Sequence, residues 1–96
     1  MYDDEPKVTL RARFEMANMI LTKGDLLEAA KAFMLVPILF DDEKYCPLAL
    51  YKAGGCFQRA GQFEEAQNAF QELRTRYPQN EWVKKINNNS ERDLEG

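Results

Sequence analysis

The chain has 96 residues, 45% of them hydrophobic, with a net charge of −3 and no histidine. Such a length and composition make one small domain with a modest core. They exclude a basic field for nucleic acid or a polybasic membrane patch, and remove the commonest general base and metal ligand.

Residues 1–6 are acidic and are expected to fray. Tyr2-Asp3-Asp4-Glu5 lacks the basic-then-apolar order of a signal peptide, and the acidic start and polar end read as the boundaries of a segment cut from a longer protein. A first helix is predicted to start between Pro6 and Leu10 and to run to Lys23. Leu10, Phe14, Ala17 and Leu21, with Ile20 beside them, form its apolar face. Arg11 and Glu15 are spaced as an i,i+4 pair, and Gly24 suits the left-handed position that ends a helix.

Asp25 is placed to cap the second helix, with Glu28 completing a capping box. Leu26, Ala29, Phe33, Val36 and Phe40 make its stripe, and Pro37 should kink or end the last turn. Phe33 to Phe40 is the longest apolar run and is far below the ~20 residues a membrane span needs. After the polar connection Asp41–Lys44, Pro47 is expected to open the third helix, with Tyr45 and Leu50 as a hydrophobic staple. Leu50, Ala53, Gly54, Phe57 and Ala60 are its packing face. Gly61 stops it, and the fourth helix carries Phe63, Ala66, Phe70, Leu73 and Tyr77 before Pro78. Asn80 can cap a fifth helix bearing Trp82 and Ile86, with Glu81–Lys85 as an i,i+4 pair.

These elements repeat. Gly24, Glu28, Ala29, Ala32 and Phe33 recur 37 residues later as Gly61, Glu65, Ala66, Ala69 and Phe70. Self-similarity at a period of 20–50 residues marks a stacked helical repeat. The expected fold is all-α: two antiparallel helix hairpins, about 10–43 and about 47–80, and a capping helix at about 81–89, within one domain over 1–86. A polar tail, 87–96, is expected to be disordered.

The second unit resembles the tetratricopeptide repeat (TPR) family. Leu50, Ala53-Gly54 and Phe57 match that family's first-helix set, and Ala66, Phe70, Leu73 and Pro78 its second-helix set. The upstream unit matches less closely through Arg13, Met16-Ala17, Ile20, Ala29, Phe33 and Val36, with Asp41 where proline would fall. The family period is usually 34, so a spacing of 37 means a longer connection. That spacing, with Phe70, Leu73, Tyr77 and Pro78, looks like the TPR units of bacterial envelope proteins, which would imply a periplasmic or envelope location; without it a cytoplasmic one is open.

The resemblance implies a right-handed solenoid and a non-catalytic role in protein–protein interaction. A partner peptide or helix would lie on the concave face of the first helices. The ligand-facing positions map to Arg11, Phe14, Asn18, Leu21 and Thr22 in unit one, and to Leu48, Tyr51, Gly55, Gln58 and Arg59 in unit two. Gly55 would leave a pit beside Asn18 and Tyr51 for an anchor side chain. Phe14 and Tyr51 at helical spacing equally read as core residues, and Arg59 as a helix C-terminal cation. A subset of the family clamps a terminal carboxylate with Lys and Asn; Asn18 fits, but Phe14 stands at the lysine place, which argues against that clamp.

Catalysis has no support in the residues: there is no nucleophile beside a base and no Gly-rich loop before a helix. No cofactor is implied. Asp41-Asp42-Glu43 lacks the glycine of a calcium loop and reads as a solvated turn. Cys46 and Cys56 would lie roughly 15 Å apart on one helix, beyond disulfide reach. Cys46, near the helix start, is the more reactive candidate, and Cys56 a packed residue.

The alternative function is assembly. Two repeats and a stub fall short of the three or so a solenoid needs, so the end faces (Leu10, Met16 and Met19 in front, Trp82 and Ile86 behind) should be sticky. They would pack on the rest of a longer solenoid or form a homodimer, with helix swapping across Asp41–Lys44 as one route.

Overall fold

The computed structural model describes residues 6–87, with side chains from residue 9 onward. The acidic stub before residue 6 and the polar tail after residue 87 lie outside the described residues. Among the described residues five helices follow one another: α1 (Pro6–Thr22), α2 (Leu26–Leu39), α3 (Tyr45–Arg59), α4 (Phe63–Arg76) and α5 (81–87). Each packs on the next through α4, and α1 also touches α3, so two hairpins stack side by side.

Both glycine stops work as expected. Gly24 and Gly61 have φ of +88° and +81°. At each, the glycine N–H bonds to the carbonyl three residues back (Leu21, Gln58), and the following N–H to the carbonyl five back (Ile20, Phe57). This paired pattern satisfies helix-end carbonyls and turns the chain into the next helix. It also overrules the expected capping box. The Asp25 N–H is committed to Ile20, so Glu28 has nothing to cap, and Asp25 makes no side-chain cap bond.

The third helix begins before Pro47. Asp42 Oδ1 accepts the N–H groups of Lys44 (2.8 Å) and Tyr45 (2.7 Å), and the Asp42 carbonyl accepts from Cys46 N–H. Asp42 is therefore the functional cap. Tyr45 lies inside the first turn rather than ahead of it, so the Tyr45–Leu50 staple does not form in that sense.

Pro37 does not end α2. It is buried two residues from the helix end, and its carbonyl accepts a 2.8 Å hydrogen bond from Arg76 on α4. Arg76 also approaches Asp41 (3.5 Å) and Glu72 (3.6 Å). The Tyr77 hydroxyl donates to Asp41 Oδ1 at 2.9 Å and accepts from Arg76. The acidic connection is thus partly spent on holding the hairpins together. The pairs Arg11–Glu15 and Glu81–Lys85 are not among the ion pairs of the described residues. Such exposed pairs gain little, and Lys85 Nζ lies over the Trp82 ring instead.

The core is one cluster spanning both units. Phe14, 6% exposed, meets the rings of Phe33 and Tyr45 edge-on, at centroid distances of 5.6 and 5.3 Å. Tyr51 and Trp82 pair at 4.7 Å. Adding 37 to Phe14 and Tyr45 gives Tyr51 and Trp82, so the same aromatic contact joins each first helix to the next. Val83 and Ile86 are buried with it, and Asn80 Oδ1 accepts the Trp82 N–H at the start of α5.

Candidate functional site

The repeat places its small residues where helices approach. Gly54 on α3 faces the ring of Phe70 on α4, leaving no room for a Cβ. The neighbouring Gly55 is different: a Cβ there would meet nothing within 4 Å. Gly55 instead floors a cleft of about 240 Å³. Leu21 of α1 and Tyr51, Gln58 and Arg59 of α3 border it, and these with Gly55 are residues the sequence assigns to the ligand face.

The other expected face residues lie elsewhere. Phe14 is in the core, locked between two rings. Arg11 is exposed outside the cleft, and Leu48 is half-buried against the core. Asn18 is half-buried, its carbonyl accepting the Thr22 hydroxyl at 2.9 Å.

Sequence reasoning missed the cleft's other wall. Gln67, Phe70 and Arg74 of α4, Ile86 of α5, and Lys52 and Cys56 of α3 also line it. A face drawn only from first helices leaves α4 out. Positions 67, 70 and 74, at +3 and +4, are the signal that they share one side of that helix. Arg74 reaches α5, its Nε 3.5 Å from Asn87 Oδ1.

Both cysteines are free and buried. Burial pushes the Cys56 thiol up, against the opposing charges of Arg59 and Lys52. Cys46 is not the reactive thiol expected. Its sulfur is fully buried, accepts the Asp42 N–H and sits 3.4 Å from the Phe40 carbonyl. A second depression of about 300 Å³ lies beside Glu43, Arg76, Tyr77 and Asn80.

Apolar side chains also remain outside. Met16 and Met19 on α1 are 59% and 63% exposed, and Leu35, Ile38 and Leu39 project from α2. Leu10 and Ile86, expected on sticky end faces, are buried in the core instead.

Among the described residues, no helix is long and apolar enough to cross a membrane. Residues 48–80 match the family model of the tetratricopeptide repeat, a family of generally non-catalytic protein–protein interaction modules. The all-helical stack of adjacent hairpins is that of a TPR-like repeat fragment. No curated protein and no solved structure matches the chain significantly.

Proposed function

We propose that the chain is a protein-interaction module that seats a partner peptide or helix in the cleft over Gly55. The observation that carries this reading is the convergence of Leu21, Tyr51, Gly55, Gln58 and Arg59, from two successive first helices, on one opening. Its volume of about 240 Å³ lies below the roughly 300–1,000 Å³ of small-molecule sites. It suits an inserted side chain of a longer ligand better than a whole cofactor. Apolar anchors in a preformed hole, rimmed by polar groups, are how peptides gain affinity and register.

Pull-down with the wild type and a Tyr51→Ala/Arg59→Ala double variant tests it. Partners recovered by the wild type should be lost by the variant; equal recovery moves the interface away from the cleft.

A second reading, self-association, is favoured by one observation. Met16 and Met19 stand 37 residues before Ala53 and Cys56, and those two are buried while the methionines are exposed. Unit one thus presents, uncovered, the face that unit two buries. Sedimentation decides: a tight dimer at micromolar concentration supports assembly through this face, and a clean monomer supports the cleft as the working surface.

A further inference from the structure

We infer that the segment bound in the cleft is acidic, with side-chain carboxylates flanking one bulky apolar anchor; this rests on the cleft being the binding surface. Two independent observations carry it. The first is charge. The chain holds 16 acidic residues against 13 basic ones, yet Lys52, Arg59 and Arg74 line the cleft and, among its described lining residues, there is no carboxylate. The ion pairs of the described residues engage Lys31 and Arg76, not these three. Three cationic residues lining one opening of mixed polarity, with no carboxylate beside them, in a net-acidic protein attract carboxylates and repel basic segments.

The second observation is Gly55. A glycine inside a helix costs roughly 0.5–1 kcal/mol relative to alanine. Gly54 has a packing reason, since Phe70 occupies the space of its Cβ. Gly55 has none, because its missing Cβ would meet only open space. What its absence does is deepen the cleft between Tyr51 and Phe70. In the inferred complex an apolar side chain of the ligand enters there, and neighbouring carboxylates pair with Arg59 and Arg74, which also line the cleft.

The test is selection from a random linear-peptide library displayed on phage against the full 96-residue chain. Synthetic peptides from the selection, with any tryptophan replaced by phenylalanine, are then titrated by the emission of Trp82, the chain's single tryptophan, whose ring lies 4.7 Å from that of the cleft residue Tyr51. The expected winners carry several Asp or Glu around one Leu, Phe or Trp. Their binding weakens with salt, falls about tenfold in Arg59→Gln/Arg74→Gln, and is abolished in Gly55→Leu. A Cβ at that position meets nothing within 4 Å, so the added side chain is expected to occupy the cleft in a folded protein; a thermal melt verifies the fold.

Winners without acidic bias that are blocked by Gly55→Leu, yet indifferent to the arginine variant, overturn the acidic assignment and leave the cleft reading standing. Loss of binding on amidating the peptide C-terminus makes the terminal carboxylate the recognised group, and overturns the assignment to side chains. Winners indifferent to Gly55→Leu, or no winners at all, overturn the cleft itself.

Discussion

A Cβ added to Gly54 would overlap Cε1 of Phe70 and stand 2.6 Å from Cζ, so the ring of one helix occupies the space left by the missing side chain of the other. The hairpin of α3 and α4 closes on that contact. Beside it, Gly55 has open space on its outer side. Two adjacent glycines in one helix therefore have opposite reasons to exist.

Substitution should separate them by sign. Gly54→Ala forces Phe70 aside and is expected to lose ~1–3 kcal/mol of packing, against a helix gain of ~0.5–1 kcal/mol. Gly55→Ala keeps only the gain. Ala66→Leu, at a fully buried α4 position, overpacks by a similar ~1–3 kcal/mol. Thermal melts read all three; a Gly54→Ala protein that melts above wild type would mean the hairpin is not closed on this contact.

The Tyr51–Trp82 pair docks α5. Tyr51→Ala removes the stacked ring, worth about 0.5–1.5 kcal/mol beyond its buried area. Trp82 emission should shift to longer wavelength as α5 loosens, while far-ultraviolet circular dichroism changes little. An unshifted emission maximum would show that Val83 and Ile86 hold α5 without the ring.

Arg76 joins α4 to the end of α2 through the Pro37 carbonyl. Its side chain is only 27% exposed, and it faces Asp41 and Glu72 as well. Arg76→Ala is expected to cost about 1–2 kcal/mol, a charged hydrogen bond discounted for partial solvent screening. Urea denaturation measures it. Arg76→Lys should recover only part of the loss, because an ammonium lacks the planar fork that reaches several acceptors at once.

Burial and the hydrogen bond to Asp41 hold the Tyr77 hydroxyl above its ordinary pKa, with Arg76 opposing. A group raised in the folded state contributes stability that is complete below its unfolded pKa, about 10 for tyrosine, and is lost as pH rises toward the folded value. The Tyr77 contribution should therefore be full and independent of pH around neutrality and decline above about pH 10. The urea midpoint of Tyr77→Phe should decline less steeply in that range than wild type; parallel declines would place the alkaline loss elsewhere.

The repeat made the architecture readable because helix stops and packing stripes are local. Gly24 and Gly61 needed only their conformational freedom, and Ala29/Phe33 and Ala66/Phe70 only helical spacing. Helix starts were harder. Asp42 caps α3 through two backbone N–H groups, a bond that competes with the proline signal at Pro47 and wins. The cleft was half visible. Periodicity cannot tell whether an aromatic on the first-helix face meets solvent or the next repeat; Phe14 meets Tyr45 and is buried, while Tyr51 remains at an opening. Gln67 and Arg74 were not readable as lining, because their place depends on how α4 leans across α3 and α5.

The Arg76–Pro37 bond and the cleft occupy opposite ends of the second hairpin. The bond ties the last turn of α4 to the end of α2, beside the start of α3, whereas Tyr51 and Arg59 line the cleft farther along α3. At 1.5 Å per residue roughly 15–20 Å of helix separate the fastening from the far end of the cleft. Sites that far apart with no shared partner contribute independently, so the losses of stability from Arg76→Ala and from a substitution at Arg59 should simply add. The repeat can thus vary what its cleft presents without loosening the latch that joins it to its neighbour.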